Sequence, residues 1–273
     1  MRDDSPETPP QRKRLGQVFL RNPRAVSAVV ASLQPGPDDV VLEIGGGDGA
    51  LSAAIAPLAG RLIVVELDER FANLLRRRFA GAGNVVVIQG DILDEATFAQ
   101  ARASEPQRRL VVYGSLPYYI ASPILRWTVG RGGDLERASF LIQREVALRA
   151  VAPHGSRRYG FLSVLLQRRA GLSLGPVVGR RAFRPVPKVD SQVLHLLPRP
   201  IADPAREKRF EEFASALFQR RRKQLGTSLR AMLGAELPQR LAESAARAGF
   251  SLRDRPERLS PDQLEALFKA FEE

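Results

Sequence analysis

The chain contains no cysteine. That excludes disulfides, thiolate chemistry and zinc held by sulfur. Its two histidines, His154 and His195, lie far apart in the sequence. With so few soft ligands no dedicated metal site is expected, and each histidine reads as structural. No apolar run reaches the ~18 residues of a membrane-spanning helix. The N-terminal "MRDDSPETPPQRKR" has no apolar centre, so it is not a signal peptide. Its early acids, Asp3, Asp4 and Glu7, argue against a transit peptide. Residues 1–14 therefore read as a disordered polar tail.

What is present is a 273-residue chain, 44% hydrophobic and 26% charged, with a formal net charge of +12. This is globular composition with a strong basic excess, which points to a polyanionic partner, nucleic acid above all. Residues 201–273 carry 14 basic and 12 acidic residues, leaving 28 and 18 for residues 1–200. The positive field thus belongs mainly to the larger N-terminal part.

Short aliphatic runs alternate with amphipathic stretches through the first two thirds. "VVLEIG" (40–45), "LIVVEL" (62–67), "NVVVIQG" (84–90), "RLVVYG" (109–114) and "ASFLIQ" (138–143) read as buried strands of a parallel sheet. Residues 68–80 read as a helix capped by Asp68, with Phe71, Leu74, Leu75 and Phe79 on one face. "SQVLHLL" (191–197) reads as an antiparallel edge strand. After "PRP" (198–200) only helical periodicity remains. The expected architecture is a doubly wound α/β domain over 15–200, followed by a small all-helical domain over 201–273.

In such sheets ligands bind beyond the carboxyl ends of the strands. The first strand ends in "EIGGGDGALS" (43–52), where Gly45 and Gly47 let backbone approach a ligand. No G-K-[ST] follows, so this is not a P-loop. The second strand ends at Glu66, a carboxylate able to accept from both ribose hydroxyls. The third ends at Asp91, placed to accept from an adenine amine. These features fit a nicotinamide dinucleotide or S-adenosylmethionine equally, since both contain adenosine.

The fourth strand ends in "GSLPYYI" (114–120). An adenine amine is a poor nucleophile because its lone pair is delocalised into the ring. Two acceptors for its hydrogens and a flat aromatic face would hold it for methylation. Ser115, the Leu116–Pro117 backbone with a free proline carbonyl, and Tyr118 supply those parts. Tyr119 reads as packing.

With these motifs in this order, the chain resembles the S-adenosylmethionine-dependent rRNA adenine-N6 dimethyltransferases, most closely their bacterial small-subunit branch. "LGQVFL" (15–20) resembles a cofactor lid, "VELD" (65–68) the ribose acid, and "QGDIL" (89–93) the adenine acid. "FRPVPKVDSQV" (183–193), "FQRRRKQLGTSL" (218–229) and "RPERLSPDQLEAL" (255–267) resemble later family motifs. The resemblance implies a Rossmann-like class I methyltransferase fold, with cofactor contacts at Gln17, Val18, Leu20, Gly45, Gly47, Glu66, Leu67, Asp91, Ile92 and Ser115. It implies catalysis at Ser115, Leu116, Pro117 and Tyr118, with Phe183 on the target base. Two positions depart from the usual pattern. Val18 stands where Asn or His is usual, and Ser115 where Asn is usual.

The implied substrate is a pair of adjacent adenosines in a hairpin loop near the 3′ end of 16S rRNA, in the small subunit or its precursor. The implied protein is a cytoplasmic monomer with no membrane association. Arg180, Arg181, Lys188, Arg221 and Arg222 are the expected phosphate contacts, together with Arg12, Lys13, Arg14, Arg157, Arg158, Arg184, Arg220 and Lys223. A large-subunit rRNA methyltransferase of the antibiotic-resistance type, and an assembly factor with weakened catalysis, are the competing readings.

Overall fold

The structure, a computed structural model, describes Pro9 and residues 17–117, 119–234 and 236–273. The expected N-terminal tail, apart from Pro9, and Tyr118 lie outside the described residues.

The chain divides into two compact units. The first runs to Ala147 and resumes at Gly171–Arg199. It contains β1 (Phe19–Leu20), α1 (Pro23–Leu33), β2 (Val40–Ile44), α2 (Ala50–Ile55) and β3 (Arg61–Glu66). There follow α3 (Glu69–Arg78), β4 (Val85–Gln89), α4 (Glu95–Ala103), β5 (Leu110–Ser115), α5 (Ala121–Gly130) and β6 (Leu135–Gln143). The unit boundary falls within α6 (Arg144–Ala150), which is followed by α7 (Phe161–Arg169) in the second unit. After α7 come β7 (Ala170–Val178), β8 (Phe183–Arg184) and β9 (Ser191–Pro198).

Seven strands form one sheet in the order β4-β3-β2-β5-β6-β9-β7. Strands β4 to β6 are parallel, and β9 runs antiparallel to β6. The order reverses between β2 and β5, which opens the crevice where a ligand fits. All five expected parallel strands are present because their runs are apolar on both faces. In β2 every residue is buried. The antiparallel strand β9 is not at the edge, because β7 lies outside it. β7 carries Gly175 and Pro176 and exposes Leu174 and Val177, so it lacks the continuous apolar signal of its neighbours.

The second unit comprises Leu148–Ala170 and Pro200–Glu273. Its later helices are α8 (Pro204–Gln219), α9 (Leu225–Leu233), α10 (Gln239–Arg247) and α11 (Pro261–Glu272). The sequence expectation placed 148–170 in the large domain. The packing differs: Tyr159 and Val164 share a core with Phe210, Phe213, Leu217 and Phe268. Arg168 of α7 also pairs with Glu207 and Glu265, and its guanidinium lies 4.0 Å from the Phe210 ring centre. Glu207 is buried, and Arg168, with Arg169 at 3.5 Å, supplies the pairing that a buried carboxylate requires. No helix of the described residues is long and apolar enough to cross a membrane.

Candidate active site

At the end of β2 the chain turns through Gly45, Gly47 and Gly49, with φ of 78°, 54° and 79°. L residues with side chains rarely adopt such values, so glycine is required. Gly47 is doubly constrained, because a Cβ there would lie 2.8 Å from the Phe19 ring. A Cβ at Gly45 would instead meet no protein atom within 4 Å. It would fill open space on the wall of a cavity.

The Gly47 N–H donates to Glu66 Oε2 at 2.9 Å, and the Asp68 N–H donates to Oε1 at 2.9 Å. The carboxyl is thus oriented by one backbone bond on each oxygen, and each keeps a further acceptor site. Burial pushes the Glu66 pKa up, while these N–H bonds oppose the shift. Asp68, by contrast, is held down to about 2, chiefly by Arg70 at 2.6 Å. Asp68 caps α3 as the sequence suggests. Asp91 is not the cap of α4, which is Asp94. Its Oδ1 accepts from the Leu93 N–H at 2.9 Å.

Beneath this edge lies Glu43, fully buried on β2. Its pKa is raised to about 8 by desolvation, against a 2.5 Å hydrogen bond donated by Ser52 Oγ. The sequence reading passed over this residue, although the "E" of "EIGGG" was its signal.

One cavity of about 200 Å³ runs along the strand ends. All ten residues expected to touch the cofactor line it, from Gln17 on the N-terminal segment to Ser115 on β5. A smaller recess of about 30 Å³ adjoins it and is lined by Ser115, Leu116, Pro117, Phe183, Pro187 and Ser191, among others. Val18, Ser115, Leu116 and Pro117 line both spaces. Neither the Ser115 nor the Ser191 hydroxyl makes a hydrogen bond among the described residues. Ser191 was missed from sequence because it reads as an ordinary strand residue.

Two expectations at the β5 end are corrected. The Pro117 carbonyl is not free, since it accepts from the Ile120 N–H at 3.2 Å. The carbonyl without a hydrogen bond among the described residues is that of Leu116. Tyr119 does not pack inside but stands exposed on the larger cavity. A Cβ at Gly114 would crowd the Ile44 carbonyl at 3.0 Å and the Leu116 side chain at 2.8 Å, so the glycine keeps this strand end closely packed.

The segment over the cleft is fixed at several points. β1 pairs antiparallel with β8, and Gln17 donates to Asp68 at 3.2 Å. Arg21 pairs with buried Asp48 at 2.9 Å, and the Phe19 and Phe71 rings lie 5.1 Å apart. Phe183 is buried in the core and presents to the recess.

Among the expected phosphate contacts, Arg180, Arg181 and Lys188 are exposed on the loop that carries Phe183 and Pro187. Asp190 closes that loop by accepting from the Arg180 N–H at 2.9 Å. Arg221 and Arg222 lie in the second unit. Arg222 is exposed, but Arg221 is engaged by Glu257 and by the Arg157 carbonyl. His195 sits between the hydroxyls of Ser139 and Ser32 at 2.7 and 2.8 Å, a structural role.

Residues 10–270 match the ribosomal RNA adenine dimethylase family. The chain belongs to that family. It is accordingly an S-adenosylmethionine-dependent rRNA adenine dimethyltransferase, and rRNA is its substrate. The donor set fits that cofactor. Glu66 keeps acceptor sites for two ribose hydroxyls, and Gly45 leaves open the space a side chain would fill. A ribosomal RNA small subunit methyltransferase A from Geobacter sulfurreducens is 37% identical, over 95% of each chain. Among solved structures, a dimethyladenosine transferase from Plasmodium falciparum superposes with a TM-score of 0.78 at 23% identity, over 93% of this chain and 97% of that one. The 23S rRNA methyltransferase ErmE gives 0.69 at 27% identity, over 93% and 100%. The family's class I methyltransferase fold is thus the fold of this chain.

Proposed function

We propose that this enzyme places two methyl groups on the N6 of each of two adjacent adenosines in the 3′-terminal hairpin loop of 16S rRNA. It does so as a cytoplasmic monomer acting on the small subunit or its precursor. The observation that carries the site assignment is the sharing of Val18, Ser115, Leu116 and Pro117 between the cleft and the recess. A donor in the first and an acceptor base entering at the second would meet at those residues. The small-subunit choice is supported by the similarity to a small-subunit methyltransferase that is 37% identical over 95% of each chain.

When bound, the cofactor supplies a sulfonium methyl that is already a good electrophile. The protein's work is therefore alignment. Glu66 holds the ribose, Asp91 receives the cofactor's adenine amine, and Leu67 and Ile92 give apolar contact. Gln17, Val18 and Leu20 cover the cleft, and the turn at Gly45 and Gly47 admits close backbone approach. At the acceptor, Ser115 Oγ and the Leu116 carbonyl accept hydrogen bonds from the N–H groups of the target amine and so orient it. Pro117 fixes the turn that presents them. The target base has to leave its stack to reach this point. By resemblance Tyr118 stacks on it, while Phe183 bounds the recess. Arg180, Arg181 and Lys188 hold phosphates beside the recess, and Arg222 is a separate phosphate contact on the second unit. Arg221 serves chiefly to brace its own unit.

The test is transfer of labelled methyl to undermethylated small subunits and, in parallel, to naked large-subunit rRNA. Label in the small-subunit RNA is expected. Label only in the large-subunit RNA would overturn the substrate assignment.

A further inference from the structure

Among the described residues Tyr119 is the one exposed aromatic side chain, at 54%. The other described Phe, Tyr and Trp residues are buried or half-buried. Single exposed apolar side chains are common on protein surfaces, so what distinguishes this ring is its place on the wall of the larger cavity. Tyr119 stands in the turn closed by the Ile120 N–H to the Pro117 carbonyl, immediately after β5. It lines the larger cavity and is absent from the walls of the recess that holds Phe183. It therefore belongs to the donor side of the site. Partial burial raises the pKa of its hydroxyl, and Asp91 and Glu66 add to that effect through their charge. Those two carboxylates are the groups suited to the amine and ribose of an adenosine. Leu67, also exposed at 47%, lines the same cavity.

We propose that Tyr119 is a cofactor-binding residue whose ring packs on the adenosyl half of S-adenosylmethionine. This rests on the reading of the larger cavity as the cofactor site. Two exposed apolar groups, Tyr119 and Leu67, would then be covered when the cofactor binds. The competing occupant is a base of the RNA beside the target adenosine.

The experiment is calorimetric titration of the full chain with S-adenosylhomocysteine and with methylthioadenosine, which lacks the amino-acid half. Tyr119→Ala is expected to weaken both ligands by about tenfold, the scale of one lost aromatic contact. Tyr119→Phe is expected to stay within about threefold of wild type, because the ring and not the hydroxyl makes the contact. Tyr119→Leu replaces the Ala variant if that one does not fold. Wild-type affinity of the Ala or Leu variant for both ligands would overturn the proposal. So would unchanged ligand affinity with weakened binding of a target-hairpin RNA, which would assign the ring to the RNA. Failure of the wild type to bind either ligand would instead remove the cofactor reading of the cavity, and the proposal with it.

Discussion

Leu20 pairs with Phe183 in a two-residue antiparallel ladder, whose other pair is Phe19 with Arg184. The segment over the larger cavity and the segment that bounds the recess are therefore one small sheet. The N–H groups of Arg21 and Asn22 extend the link to the Ala182 carbonyl, at 2.8 and 3.2 Å. A change on one side of this ladder is therefore expected to reach the other.

Phe183→Ala should accordingly impair both sides. Truncating a buried Phe costs about 3–5 kcal/mol of stability. Cofactor affinity should fall along with turnover, although Phe183 does not line the cofactor cavity. Phe183→Leu should retain most of both. Denaturant unfolding and cofactor titration of the two variants check this.

Glu66→Gln tests the ribose carboxylate. The amide keeps one acceptor oxygen and turns its NH₂ towards either the Gly47 or the Asp68 N–H. Cofactor affinity should fall about 10- to 100-fold, matching ~1.4–3 kcal/mol for lost charge-assisted hydrogen bonds. Isothermal titration with S-adenosylhomocysteine reads this directly.

Ser115 is the residue on which catalytic rate should turn. Ser115→Ala removes one acceptor from the target amine and should lower kcat/KM by an amount equivalent to about 1–3 kcal/mol. Ser115→Asn, with the longer arm usual in the family, should preserve or raise turnover. Single-turnover methylation with saturating cofactor separates these effects from binding. Equal rates for wild type and Ser115→Ala would remove Ser115 from the mechanism.

Glu43 predicts a pH dependence of stability. Its folded pKa of about 8 exceeds the ordinary 4.5, so between those values the folded state holds a proton the unfolded state has lost. Stability contributed by this group therefore falls as pH rises from about 4.5 towards 8. Glu43→Gln, which is neutral throughout, should melt about 2 °C or more above wild type at pH 8. The difference should shrink towards pH 5. Thermal melts across that range check the sign.

The two arginine groups should behave differently. Arg181→Ala should leave stability within about 0.5 kcal/mol and reduce the salt slope of RNA binding by about one. Arg221→Ala should lower the stability of the protein, because it releases Glu257 and the Arg157 carbonyl. RNA binding across a salt series, beside thermal melts, distinguishes them.

The parallel strands and their chemistry at the carboxyl ends were legible because a strand buried on both faces writes an unbroken apolar run. Glu66 and Asp91 follow such runs directly. β7 was not legible, because Gly175, Pro176 and two exposed apolar residues break its pattern. Strands β1 and β8 are two residues each and exist through their pairing with one another. The place of 148–170 was hidden because the partners of Arg168, Glu207 and Glu265, are distant in sequence. The free carbonyl moved from Pro117 to Leu116 because the turn to Ile120 consumes the former. That is backbone geometry, which residue types alone do not disclose.

The central claim is that Ser115 and its neighbours join a methyl donor to an adenine amine of small-subunit rRNA. The most direct measurement is mass-spectrometric mapping of the modified nucleosides after incubating undermethylated small subunits with the enzyme and S-adenosylmethionine. The account predicts N6-dimethyladenosine at two adjacent positions in the 3′-terminal hairpin. Methylation elsewhere, or at another atom of the base, would contradict it, as would no methylation despite tight binding.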